Sequence, residues 1–142
     1  MRTEIRIKEG LEGLKFKSST EDIRKLYGEP GDVEELDNPC DGTVESIVWN
    51  YPDLGLNFFF DATVDVPVLC TIESDNLDTT LFGKKIFAMK QQEIVQLMLD
   101  NGFMDMEDDE ETWGELRVSF DDAQTDFYFL EEQLTLVSWS CF

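Results

Sequence analysis

Residues 47–60 read Ile47-Val48-Trp49-Asn50-Tyr51-Pro52-Asp53-Leu54-Gly55-Leu56-Asn57-Phe58-Phe59-Phe60. Two runs of alternating character flank a Pro-Asp-Leu-Gly turn, the pattern of an antiparallel hairpin with one buried face. The pattern returns at an offset of 69: Leu116-Arg117-Val118-Ser119-Phe120, the turn Asp121-Asp122-Ala123-Gln124, then Thr125-Asp126-Phe127-Tyr128-Phe129. A third run, Leu69-Cys70-Thr71-Ile72, matches Leu136-Val137-Ser138-Trp139 at an offset of 67, with a loop shorter by two residues in the second copy. Coincidental patterning is the alternative to this internal match.

A helix pattern precedes each set of strands. Gly13-Leu14-Lys15-Phe16 is echoed by Gly83-Lys84-Lys85-Ile86. Ser19 or Thr20 caps a helix that runs to Tyr27 with Ile23 and Leu26 on one face, and Gly28 and Pro30 end it. Lys90 to Asp100 places Ile94, Leu97 and Met98 at helical spacing, and Asn101-Gly102 stops the run. The expected fold is therefore α+β: two tandem units, each a helix on one face of a three-stranded antiparallel sheet. Residues 1–76 form the first unit and 77–142 the second; the short joint 75–80 packs them side by side as one compact domain, with one continuous sheet as an option. Alternation turns Ile47, Trp49, Tyr51, Leu56, Phe58, Phe60, Cys70 and Ile72 toward the first helix. Leu116, Val118, Phe120, Phe127, Phe129, Val137 and Trp139 face the second. Val48, Asn50, Asn57, Phe59 and Thr71, then Arg117, Ser119, Asp126, Tyr128 and Ser138, take the opposite face, which an antiparallel sheet can leave in water.

Charge narrows the function. The 142 residues include 32 acidic and 11 basic side chains and no histidine, a formal net charge of −21. A direct nucleic-acid binder needs a basic face, and an anionic membrane repels such a chain. Without histidine there is no Ser-His-Asp or Cys-His catalysis. Asp37–Gly42 resembles half a calcium loop, but Pro39 stands at a ligand position and Val48 where the closing glutamate belongs, so no metal is expected. No phosphate-cradling glycine loop is present. Asp121 and Asp122 read as turn formers. The expectation is a non-enzyme without cofactor. Met1–Lys8 holds no apolar leader core, and Cys40, Cys70 and Cys141 lack metal or paired spacing, so a reduced, cytoplasmic protein is expected.

The charge is also uneven. Residues 1–30 hold seven basic and six acidic residues, whereas Gln91 to Phe142 hold one basic residue, Arg117, against fourteen acidic ones. The candidate partner-binding residues follow from this geography. Phe59 and Tyr128 occupy matching positions on the face left free of helix, where aromatics serve protein contacts or simply cover the sheet. Arg117 shares that face and is placed to pair across strands with Asp126. Asp105, Glu107, Asp108, Asp109, Glu110 and Glu111 form the densest charge, read as a solvated loop, a docking surface for a basic partner or a weak cation site.

The paired starts at Gly13 and Gly83, the helices at Ile23–Leu26 and Ile94–Leu97 and the matched strands resemble the tandem-repeat architecture of the β-lactamase inhibitor proteins. That resemblance implies a concave protein-binding sheet surface bearing Phe59 and Tyr128. Size, acidity and the lack of catalytic chemistry also resemble small bacterial immunity proteins, which block a toxin. The expected function is a non-catalytic acidic inhibitor of a basic protein partner such as a toxin or nuclease. The alternative is a nucleic-acid mimic that fills the cationic groove of a DNA- or RNA-processing protein.

Overall fold

Residues 3–141 are described by the structure, a computed structural model. The chain opens with three short strands, β1 (Glu4–Arg6), β2 (Gly10–Leu11) and β3 (Leu14–Lys15), followed by helix α1 (Thr20–Tyr27). A meander of β4 (Asp32–Asp37), β5 (Val44–Tyr51), β6 (Leu56–Asp61) and β7 (Val68–Ser74) comes next. The hairpin β8 (Thr80–Leu81) and β9 (Lys84–Lys85), a single 3-10 turn at Ile86–Ala88 and helix α2 (Gln91–Asp100) lead to a second meander. It comprises β10 (Met106–Glu110), β11 (Leu116–Phe120), β12 (Thr125–Leu130) and β13 (Gln133–Ser140).

The helices are closed by local chemistry. The Ser19 hydroxyl accepts the Asp22 N–H at 3.3 Å while the Asp22 carboxylate accepts the Ser19 N–H at 3.1 Å, a reciprocal cap that satisfies the first turn of α1. Gly28, at φ 81°, ends the helix and donates its N–H to the Arg24 carbonyl. Glu93 accepts the Lys90 N–H at 2.9 Å at the start of α2. Each helix buries a narrow stripe: Ile23 in α1, Ile94 and Met98 in α2.

The two meanders are one sheet. Its order is β10-β11-β12-β13-β7-β6-β5-β4, antiparallel throughout, with Ile72 opposite Trp139 at the seam between β7 and β13. The five short strands form a second sheet, β3-β2-β1-β8-β9, in which β1 and β8 run parallel. This small sheet and both helices pack on the same face of the large one. Ile5, Leu11, Leu81, Ile23 and Ile94 share a single core with Phe58, Phe60, Phe127, Phe129 and Trp139. The buried Trp139 indole N–H donates to the Gly10 carbonyl at 2.8 Å and ties the two sheets together.

These features overturn the α+β expectation of two tandem units, each a helix on a three-stranded sheet. The described chain is mostly β, 46% strand against 15% helix, in sheets of five and eight strands. Three physical causes account for the difference. Asp32–Asp37 and Met106–Glu110 are rich in carboxylates, which depress strand propensity, yet they form strands because each lies at a sheet edge with every residue exposed. The strands of the small sheet are two or three residues long, too short for any periodicity to show. Pairing of β7 with β13 then joins the two meanders into one sheet, the continuous arrangement that side-by-side packing allowed.

Bulges refine the face assignment. The β6–β7 register shifts between Phe59 and Phe60, and Cys70 drops out of the pairing; the β12–β13 register shifts between Tyr128 and Phe129, and Thr135 drops out. Cys70, expected toward the helix, is buried outside the main core and donates its thiol to the Phe59 carbonyl. Val48, expected on the solvated face, is only 4% exposed beside its cross-strand neighbour Phe59.

Candidate functional site

The large sheet has one face without helices, and its register aligns a polar row across all eight strands. Glu107, Ser119, Asp126, Ser138, Glu73, Asn57, Asn50 and Asp32 stand opposite one another in sequence. Asn57 donates its amide to Glu73 at 3.4 Å near the middle of this row. Burial pushes the Glu73 carboxyl above its ordinary value, the Asn57 hydrogen bond offsets part of the rise, and nearby Asp75 adds to it.

Tyr128 and Phe59 flank the polar row on opposite sides. Three inter-strand steps separate β12 from β6, and four residue steps separate the two rings along the strands, which places them roughly 20 Å apart. They therefore do not form one aromatic patch. Tyr128 instead sits opposite Arg117, which stands opposite Asp109. The Arg117 guanidinium lies 3.4 Å from the Asp109 carboxylate. Partial burial works against its charge, but Asp126, Tyr128 and Asp109 outweigh that and hold it more firmly protonated. Burial, then the Asp126 charge, raises the Tyr128 hydroxyl above its ordinary value. Asp126 supports the Arg117 charge from a distance, and the ion pair within 4 Å is with Asp109 across the β10–β11 register.

The acidic run is an edge strand rather than a loop. Glu107 and Asp109 point to the helix-free face, whereas Asp108 and Glu110 stand opposite Val118 and Leu116 on the other. Asp105 precedes the strand, held by its N–H to the Asp122 carboxylate, and Glu111 follows it, bonded to the Glu115 carbonyl. Trp113, in the turn after this strand, is 66% exposed and donates its indole N–H to Glu115 at 3.1 Å. In the sequence Trp113 stands alone two positions beyond the acidic run, with no apolar periodicity around it, and the place of Glu73 depends on the register of the whole sheet. The far edge repeats the acidic theme: β4 carries Asp32, Glu34, Glu35 and Asp37. Among the described residues, no three Asp, Glu or Cys side chains are grouped to hold a metal ion. No helix among them is long and apolar enough to cross a membrane.

No protein-family model matches this chain, and no curated protein matches it in sequence. Its fold is similar to that of an extracellular protein containing a SCP domain from Bacillus anthracis, with a TM-score of 0.51 at 14% identity. The similarity covers 87% of this chain and 43% of that protein, so this chain spans less than half of its length. At that identity the likeness concerns the fold alone.

Proposed function

We propose that the chain is a non-catalytic, acidic protein-binding module of inhibitor or immunity type, working in the cytoplasm on a basic protein partner such as a toxin. The observation that supports this reading is the end of the sheet formed by β10, β11 and β12. There a helix-free face bearing Tyr128 and Arg117 meets a fully exposed edge with four carboxylates and the exposed Trp113. Aromatic side chains supply most of the binding energy of protein interfaces, and opposite charge speeds encounter. Phe59, some distance away on the same face, extends the contact area.

The test is capture of the partner from the native host, then reconstitution with purified components. A stoichiometric complex with a basic protein is expected, weakened more than about tenfold by Tyr128→Ala or Trp113→Ala. A complex indifferent to both substitutions would sink this placement of the interface. The row of carboxylates at Glu107, Asp126, Glu73 and Asp32 supports a second reading, a nucleic-acid mimic. A mimic loses affinity steeply and log-linearly with salt, whereas an interface built on aromatic side chains loses less.

A further inference from the structure

A groove of about 620 Å3 opens between the β2–β3 hairpin and α1. Leu26, 51% exposed on a helix whose other side buries Ile23, forms its apolar wall above a floor of Leu11 and Leu14, each 3% exposed and part of the core. Arg6, Lys15 and Lys25 line it from three different elements. None of these cations forms an ion pair within 4.0 Å among the described residues, although the chain carries 32 acidic side chains. Asp22, whose carboxylate accepts the Ser19 N–H in the helix cap, and Glu12, engaged in an interaction of its own, also line the groove, so three cations stand against two carboxylates there.

The corresponding place beside β9 and α2 holds a smaller groove, of about 390 Å3, whose charged lining is Lys84, Glu93 and Asp100. The same local architecture thus appears twice with opposite charge balance.

We propose that the first groove is a binding site for a small amphipathic anion, a carboxylate carrying an unbranched hydrocarbon chain. Its volume lies in the range of small-ligand sites, and it combines a mostly apolar lining with a few polar groups to fix orientation. Leu26 and the aliphatic stems of Lys15, Lys25 and Arg6 cover the chain, and the charged ends of the three cations meet the single carboxylate through charge-assisted hydrogen bonds. Net charge selects this occupant over an acidic peptide. Long-range repulsion from a molecule of −21 grows with every charge on the incoming partner, and a monoanion incurs the least. The site lies on the helix-bearing side, away from the sheet face assigned to a protein partner, so either assignment can fail alone.

The test is an NMR titration of the isotope-labelled protein with decanoate below its micelle concentration, alongside decanol and decyltrimethylammonium. Saturable shifts are expected at Lys15, Lys25 and Leu26 and not at Lys84, Gln92 or Gln96. Decanol and the cation should bind about tenfold more weakly or worse. Lys15→Gln with Lys25→Gln should weaken decanoate about tenfold and leave decanol unchanged, whereas Leu26→Asn should weaken both. All three side chains are exposed, and far-UV circular dichroism verifies that the variants fold. The proposal is overturned by equal binding of decanoate and decanol, by equal shifts in the second groove, by tighter binding of a leucine-containing acidic peptide, or by no saturable shift.

Discussion

Glu73 sits where a carboxylate is least comfortable: partly buried at the middle of a polar row, with one amide donor for company. Its folded pKa is raised above the ordinary value of 4.5, chiefly by burial. Between the unfolded and the folded value the native state therefore binds more protons than the unfolded chain. The associated stability is fully present below the unfolded pKa and is lost as pH rises through the folded one. At neutral pH the ionised group is a net burden. Glu73→Gln removes the charge, keeps the shape and leaves a carbonyl to accept from Asn57. The variant is expected to melt at a higher temperature than the native chain at pH 7, with the gap closing below about pH 4, where the native carboxyl is protonated. Thermal denaturation across that interval measures it. A lower melting temperature at pH 7 would mean that the Glu73 charge is compensated by its neighbours.

At the scale of elements, the two edges of the large sheet set the problem. A strand edge exposes unpaired N–H and C=O groups that invite another strand, and proteins blunt such edges with charge. Here β4 carries four carboxylates in six residues and β10 four in five, so two copies meeting edge to edge bring like charges together. Replacing Glu107 and Glu110 by Gln and Asp108 and Asp109 by Asn removes that repulsion and leaves the backbone edge intact. The neutralised protein is expected to self-associate at concentrations where the native chain does not, as read by sedimentation velocity over a dilution series. Identical sedimentation of the two would mean that charge is not what keeps these edges apart. The same edges explain what the sequence disclosed and what it hid. The strands β6, β11 and β12 were legible because buried and less buried residues alternate along them, and in β5 Trp49 and Tyr51 flank Asn50 although Val48 is buried as well. An edge strand with no buried residue has no alternation to read. The seam between β7 and β13 joins residues more than sixty positions apart, and no local pattern encodes it. The helix-free face with Tyr128 and Arg117 was therefore visible, and a continuous sheet was open as an option, whereas the register that places Glu73 in the polar row and the neighbouring exposed Trp113 were not.

For the whole molecule the governing quantity is 21 uncompensated negative charges on a 16.4 kDa chain. A folded domain of this length has a radius of gyration of about 14 Å. At 0.01 M salt the screening length is about 30 Å, so the excess negative charge repels itself across the whole molecule; at 0.15 M it is about 8 Å, and only neighbours interact. Attraction offers little to offset the repulsion. The ion pairs of Arg24 with Glu21 and Glu29, of Lys85 with Asp78 and of Arg117 with Asp109 are all solvent-accessible, and such pairs contribute little. Unfolding lets the charges move apart, so low salt favours the unfolded chain. The urea midpoint is therefore expected to rise with sodium chloride, most steeply up to about 0.15 M, and by the same amount with potassium chloride. Association with a basic partner should move the other way over the same series, because screening weakens attraction between molecules as it relieves repulsion within one. Urea titrations and binding isotherms in matched buffers read the two slopes side by side. A midpoint that falls with salt would show that local ion pairs outweigh the net charge. A complex that strengthens with salt would remove charge complementarity as the reason this surface is acidic.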